Sequence, residues 1–202
     1  MGYGAIGIAA FGGLIHFTVQ KGQQNLIYVT DGTAEGTEQL EMGVNSALPP
    51  TTMLSYITEL NGMMYFAAEG QVCRQLAYEF CSEGRSLFVT EGTDESTHQP
   101  LTLESELVST PSNFKEVVVH NGTLYFETEE GLYSSDGTDN STTLLLANSQ
   151  GYGFESMGEH LYFLNNDNYY DWSFWKTDGT VEGTSVVTGI GIPANTHKLT
   201  AL

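Results

Sequence analysis

Short runs of apolar and aromatic residues alternate with turn-forming residues along the whole chain, and one arrangement of them occurs four times. In each occurrence, a hairpin turn leads into an aromatic strand, and a second aromatic strand then enters a turn of the Asp-Gly-Thr type. Apolar runs of this length, bounded by Gly, Asn and Asp, are typical of β-strands. The stretches that carry the second turn are LIYVTDGTAEGT, SLFVTEGTDEST, GLYSSDGTDNST and SFWKTDGTVEGT.

The four turns share an acidic residue that is followed by Gly and Thr. Their residues are Asp31, Gly32 and Thr33, then Glu91, Gly92 and Thr93, then Asp136, Gly137 and Thr138, and last Asp178, Gly179 and Thr180. An Asp carboxylate in such a turn accepts bonds from backbone N–H groups two residues on, and glycine adopts a positive φ at little cost. We therefore predict a corner between two antiparallel strands at each site. The mean spacing is roughly 49 residues, within the range of propeller-blade repeats.

An aromatic residue stands three positions before each acidic turn residue. These residues are Tyr28, Phe88, Tyr133 and Trp175. Because successive residues of a strand point to opposite faces of its sheet, the fixed offset predicts one shared packing position in every repeat.

Further strands upstream of each hairpin and downstream of each turn complete four antiparallel strands per repeat. A sheet of that size buries one face poorly alone, so the copies are expected to stack. The predicted fold is all-β: a β-propeller of four four-stranded antiparallel blades in a single repeat domain, 1–202. The predicted blades are 3–44, 53–104, 114–148 and 152–192, followed by a tail at 193–202. Two arrangements stay open, a ring closed within this chain and an arc completed by other subunits or by a longer chain.

These four stretches resemble the ELWxTDGTxxGT repeat family of bacteria and algae, whose members are understood as β-propeller-like extracellular or cell-surface proteins. The first and fourth copies match the second half of that pattern in full. The second has Glu91 in place of Asp, and the two middle copies have Ser96 and Ser141 where the pattern has Gly. The resemblance implies an extracellular or cell-surface location, and it supplies no catalytic residues.

Composition narrows the classes of partner. A hydrophobic content of 40% is too high for a disordered chain. The 25 acidic and 6 basic residues give a net charge of −19. The electrostatic field of so negative a chain repels nucleic acids and anionic membranes, which leaves proteins, glycans and cations as partners. No run approaches the roughly 18 apolar residues of a membrane span, so we predict no membrane insertion. The glycine-rich start has no basic segment, which suggests that a targeting segment was removed or that the chain begins inside a longer one.

The two cysteines, Cys73 and Cys81, lie in the longest insertion, between the two middle strands of the second copy. A disulfide between them would close a short loop in an oxidising compartment, and we predict this bond. Two independent thiols are the alternative. The spacing fits no zinc-binding pattern.

Other candidate sites give weaker signals. Acidic turns at 91–97, 136–142 and 165–171 offer oxygen ligands for calcium but lack a complete calcium loop, and turn chemistry explains them, so no metal or cofactor is predicted. The sequons at Asn121 and Asn140 occur as often as chance predicts. The aromatic loop containing Tyr169, Tyr170 and Trp172 has the composition of a ligand or partner contact, or of ordinary loop packing.

The five histidines are scattered, and the chain has no hydrolase elbow, metalloprotease motif or phosphate-binding loop. The sequence therefore predicts a non-catalytic extracellular or cell-surface module for structure, protein interaction or self-assembly, in a surface layer or filament. A glycan-binding propeller is the main alternative. A carbohydrate-active enzyme with carboxylates in a central channel is the third.

Overall fold

The computed structural model describes residues 8–21, 24–40, 54–75, 79–91, 96, 114–138, 141–166 and 172–189. These residues form fifteen β-strands and no helix, which confirms the predicted all-β class. Every pairing between them is antiparallel and joins strands that are adjacent in the sequence. Within these ranges there is accordingly no helix that could span a membrane.

The strands form four sheets, each a meander. The first sheet contains β1 (Ile8–Phe11), β2 (Leu14–Lys21), β3 (Gln24–Thr30) and β4 (Thr37–Leu40). The second contains β5 (Leu54–Leu60), β6 (Met63–Gln75) and β7 (Glu79–Thr90). The third contains β8 (Glu116–His120), β9 (Thr123–Glu127), β10 (Gly131–Ser135) and β11 (Thr143–Ala147). The fourth contains β12 (Gly151–Met157), β13 (His160–Asn166), β14 (Trp172–Thr177) and β15 (Ser185–Val186).

Three sheets have four strands, whereas the second has three among the described residues. The fourth strand expected in the second repeat would follow the turn at Glu91. That part of the chain lies outside the described residues, as does the predicted tail 193–202.

The hairpin turns adopt the backbone conformation that their residues favour. At the β8–β9 hairpin, Asn121 has a φ of 49° and Gly122 a φ of 74°. Two consecutive positive φ values match the right-handed twist of the flanking strands, which explains why Asn-Gly occurs here. The sequon asparagine Asn121 is thus part of a tight turn.

A stacked pair of aromatic rings occurs in every sheet. Each pair joins the aromatic residue that precedes the acidic turn to a phenylalanine directly opposite it on the neighbouring strand. The pairs are Phe17 with Tyr28, Phe66 with Phe88, Phe126 with Tyr133 and Phe163 with Trp175, with centroids 5.7, 5.6, 5.4 and 6.2 Å apart. We call the sheet face that carries this pair the ring face and the opposite face the back face.

The chain divides into two compact units, Met1–Asn113 and Phe114–Leu202, and each contains two sheets. In the first unit, the back face of the first sheet packs on the ring face of the second. Phe11 and Ile27 of the first sheet form one buried cluster with Met64, Phe66 and Phe88 of the second. The first strands of these two sheets, β1 and β5, lie next to each other.

The second unit repeats this packing in the same order, with the back face of the earlier sheet on the ring face of the later one. Tyr125 and Leu132, on the back face of the third sheet, form a buried cluster with Phe154, Leu161 and Phe163 of the fourth sheet, whose ring face carries Phe163. The first strands β8 and β12 are again neighbours. Each unit therefore stacks a back face on the next ring face.

Candidate functional site

The acidic residues of the repeat turns bond to their own turns. Oδ1 of Asp31 accepts the backbone N–H of Thr33 at 2.8 Å and the hydroxyl of Thr33 at 2.7 Å. The same two bonds occur at Asp136 and Asp178, where the hydroxyl distances are 2.6 and 2.7 Å. The Thr hydroxyl bonds, together with the backbone bonds, lower the pKa of all three carboxyls. These carboxylates therefore stabilise the corners between strands.

A pair of hydroxyl groups closes each turn and explains the two serine substitutions. The hydroxyl of the residue before the acid bonds to a second hydroxyl across the turn. In the first and fourth repeats the second hydroxyl is a threonine seven residues on, and in the middle repeats it is a serine six residues on. The pairs are Thr30 with Thr37, Thr90 with Ser96, Ser135 with Ser141 and Thr177 with Thr184, at 2.6, 3.1, 2.8 and 2.7 Å.

The second glycine of the first and fourth turns has a steric cause. A Cβ atom on Gly36 would overlap the carboxylate of Asp31, and a Cβ on Gly183 would overlap that of Asp178. In the third repeat, Ser141 stands at this position, and its hydroxyl instead accepts the backbone N–H of the acidic residue at 3.1 Å. The family pattern and its departures thus correspond to two ways of closing one turn.

The second repeat turn is described only in part. The backbone N–H of Glu91 donates to Ser96 Oγ at 3.0 Å, as in the third repeat. Gly92 and Thr93 lie outside the described residues. In the part of the chain that the structure describes, no three His, Cys, Asp or Glu side chains are grouped as metal ligands would be.

The insertion around the cysteines continues the hairpin instead of leaving the sheet as a loop. The β6–β7 pairing runs without interruption from Met64 opposite Thr90 to Gln75 opposite Glu79. It pairs Cys73 directly with Cys81. Cα atoms of directly opposed residues are about 4.5–5.5 Å apart, which is within the range that a disulfide spans. The disulfide itself stays a prediction.

A buried carboxyl connects the third and fourth sheets. Glu127 ends β9 and is fully buried, and burial raises its pKa to about 8. Ser149 Oγ lies 3.2 Å from Glu127 Oε2 and 3.2 Å from Asn165 Oδ1, which also accepts the N–H of Gln150 at 2.7 Å. The bonds that Glu127 accepts from Ser149 and from the N–H of Gly151 favour the charged carboxylate, but the burial of Glu127 outweighs them and favours the neutral carboxyl.

A second carboxyl makes the same connection one strand away. Glu116 lies opposite Glu127 in the register of β8 and β9. Its Oε2 accepts the N–H of Gly153, in the first strand of the fourth sheet, at 3.1 Å, and burial raises its pKa. Neither Glu116 nor Glu127 was among the residues predicted from the sequence. The sequence feature that could have identified them is an acidic residue at a strand position that alternation assigns to the same face as apolar residues. Glu127 is buried, and its bond to Ser149, which in turn contacts Asn165 of the fourth sheet, links the third and fourth sheets.

Among the described residues, two sheet faces carry several exposed apolar side chains, whereas Leu14, Leu144 and Val186 are exposed singly on other faces. On the ring face of the first sheet, Ile8, Ile15 and Val19 are 71%, 40% and 38% exposed, and the ring pair Phe17–Tyr28 is half-buried. The corresponding ring pairs Phe66–Phe88 and Phe126–Tyr133 are fully buried.

The back face of the fourth sheet is aromatic. Tyr152 is 41% exposed, and its ring meets Trp172 edge-on with centroids 5.9 Å apart. Next to it, the half-buried Tyr162 and Phe174 stack at 5.4 Å. Of the three aromatic residues predicted to contact a partner, only Trp172 is described. It begins β14 on this face. Tyr169 and Tyr170 lie outside the described residues.

No protein-family model and no curated protein sequence matches the chain. Two solved structures resemble it in fold. A GH74 xyloglucanase from Xanthomonas campestris has a TM-score of 0.53 and 10% identity over 92% of this chain and 30% of its own. A puromycin hydrolase has a TM-score of 0.54 and 14% identity over 86% of this chain and 28% of its own.

Both of these structures have propeller-like folds. The chain spans less than a third of either neighbour's length. At such low identity the likeness concerns the fold alone, and the activities in the two names belong to those proteins.

Proposed function

We propose that the chain is a non-catalytic propeller module that acts outside the cell or on its surface by binding other proteins. The observation that carries this proposal is the aromatic back face of the fourth sheet. Tyr152, Tyr162, Phe174 and Trp172 lie on one face of paired strands, where Tyr152 is exposed and the other three are half-buried. Rings held on strands lose little conformational entropy on binding, and exposed apolar surfaces of this kind are typical of interaction sites.

The propeller arrangement is supported by the stacking inside each unit. Back face packs on ring face, and the first strands of neighbouring sheets lie side by side. Radial sheets around an axis have this relationship, with first strands innermost. The proposed module is a ring of such blades, either closed by the four sheets or completed by further ones.

The chemistry of the acidic side chains supports a non-catalytic role. Asp31, Asp136 and Asp178 bond within their turns, and Glu127 is buried between sheets. These contacts give the carboxyls structural tasks. Since the two structural neighbours are enzymes, the purified chain should be assayed on xyloglucan and on puromycin. Turnover of either at a rate that one Asp or Glu substitution abolishes would refute the non-catalytic proposal.

The extracellular location is part of the proposal. It is supported by the resemblance to the repeat family and by the opposed cysteines of the β6–β7 hairpin. Disulfides persist in oxidising compartments such as the cell exterior.

Binding to intact cells tests the proposed function. Labelled chain is incubated with cells of the source organism, and the bound fraction is measured after pelleting. Tyr152→Glu should weaken binding at least tenfold because it puts a charge into the aromatic contact. Val181→Glu, at a 50% exposed position in the turn of the fourth repeat, adds the same charge elsewhere and should bind like the wild type. Equal binding by both variants would contradict the assigned surface.

A glycan-binding role is the second candidate. It is favoured by the edge-on pair of Tyr152 and Trp172, because partly exposed rings stack on the apolar faces of sugars. A glycan array separates the two candidates. Signals that disappear with Tyr152→Ala would support a lectin, and an array without signal above background would eliminate it.

A further inference from the structure

The four sheets present one repeating relationship between their faces. Inside each unit, the ring face of the later sheet is covered by the back face of the earlier one. The covered ring pair Phe66–Phe88 is buried, and so is Phe163 of the fourth sheet. The chain therefore contains two examples of the same interface. In both of them the earlier sheet contributes its back face and the later sheet its ring face.

Of the four sheet faces outside these two interfaces, two are exposed and differ from each other. The first sheet exposes the ring face with Ile8, Ile15 and Val19, and the fourth sheet exposes the back face with Tyr152 and Tyr162. On the second and third sheets, both faces contain fully buried side chains, such as Phe66 and Leu87 on the second. The back face of the fourth sheet is covered only in part, because Leu164, opposite the exposed Tyr152, is buried. The two exposed faces are the two halves of the interface that the chain already uses twice.

The charges on these two faces are unusual for so acidic a protein. None of the residues whose register places them on the ring face of the first sheet is acidic. On the back face of the fourth sheet, Glu155 and Lys176 lie on either side of Tyr162 and balance each other. The chain carries a net charge of −19, so acidic residues are concentrated elsewhere. A contact between these faces therefore buries no excess negative charge.

We propose that copies of this chain associate head to tail, with the ring face of the first sheet of one copy packed on the back face of the fourth sheet of the next. The inference rests on the proposed function, since it takes the aromatic face as a binding surface and names a second copy as its partner. The contact is heterologous, so a series of copies closes into a ring if the rotation permits and otherwise extends as a filament.

Sedimentation velocity of the full chain over a hundredfold range of concentration, in about 0.15 M salt, tests the proposal. The wild type should sediment faster as concentration rises. Ile15→Glu disrupts the ring-face side of the proposed contact, and Tyr152→Glu disrupts its back-face side. Each variant alone should therefore be monomeric. Val181→Glu is the control with the same added charge and should associate like the wild type. If Ile15→Glu fails to fold by circular dichroism, Val19→Glu, at 38% exposure on the same face, replaces it.

Mixing the two variants gives the decisive result. A copy with Ile15→Glu keeps an intact back face, and a copy with Tyr152→Glu keeps an intact ring face. A 1:1 mixture should therefore form a complex of two chains and nothing larger. Because both copies are strongly acidic, raising the salt concentration should strengthen the association.

Three results would overturn the proposal: a wild type that sediments as one chain at every concentration, a mixture that forms no complex, or a control as defective as the two face variants. A wild type that stays one chain would point to closure within a single copy. If association fails while cell binding still depends on Tyr152, the proposed function stands with a different partner. If association succeeds while cell binding is absent, self-assembly stands and the cell-surface role falls.

Discussion

Replacing Glu127 by glutamine removes a titrating group from the junction of the third and fourth sheets while keeping its size. The ordinary pKa of the carboxyl is 4.5, and burial raises it to about 8 in the folded protein. The folded state therefore holds a proton that the unfolded state releases between these two pH values. It follows that the free energy of unfolding falls as pH rises from about 4.5 to about 8.

The structure sets the size of this effect. One pKa unit corresponds to about 1.4 kcal/mol, so ionising Glu127 in the folded protein costs about 4–5 kcal/mol in total. Between about pH 5.5 and 7.5, the slope of about 1.4 kcal/mol per pH unit predicts a loss of about 2–3 kcal/mol. Burial also raises the pKa of Glu116, so Glu116 makes the free energy of unfolding fall with rising pH as well. The Glu127→Gln variant therefore keeps a smaller pH dependence.

Urea unfolding followed by tryptophan fluorescence reports the stability of the second compact unit, which contains Glu127. The chain's two tryptophans, Trp172 and Trp175, both lie on β14 of the fourth sheet. The wild type should lose about 2–3 kcal/mol between about pH 5.5 and 7.5. Glu127→Gln should lose much less, and the exposed control Glu182→Gln should behave like the wild type. If Glu127→Gln had the same pH dependence as the wild type, the neutral buried carboxyl would be refuted.

Three further predictions concern the repeat itself. Gly183→Ala should destabilise the protein by about 1–2 kcal/mol, because its Cβ displaces the turn carboxylate and breaks two hydrogen bonds. Thermal unfolding checks this against Glu182→Ala in the same turn, and equal midpoints would contradict it. Phe66→Ala should cost about 3–5 kcal/mol, whereas Phe17→Ala at the half-buried equivalent position should cost less, as measured by urea unfolding. Equal losses would argue that the two positions are covered alike. Cys73 and Cys81 should resist alkylation until a reductant is added, as read from intact mass, and prompt labelling of both would exclude the disulfide.

The turn motif allowed the strand content and the four-fold repeat to be predicted, because local chemistry determines them. A carboxylate, a glycine and a threonine within three residues specify the corner at Asp31 by bonds that span only two residues. The aromatic position before each turn was equally visible. Its stacking partner, such as Phe17 for Tyr28, was not identified, since the partner follows from strand register and not from spacing in the sequence.

The long-range features could not be predicted from the sequence. Burial raises the pKa of Glu127, and this burial arises only when the third and fourth sheets pack together. The cysteine segment looked like an excursion because it interrupts the repeat period, yet its backbone pairing continues the hairpin. The exposure of Tyr152 depends on which sheet faces are covered in the folded protein, and no local motif encodes this.

Nuclear Overhauser effects between side chains test the central claim, that equivalent sheets stack back face on ring face, most directly. The structure predicts cross-peaks from Ile27 to the second-sheet cluster containing Phe66, and from Leu132 to the fourth-sheet cluster containing Phe163. Cross-peaks confined to residues of a single sheet, or contacts from Ile27 and Leu132 to unrelated surroundings, would contradict the stacking.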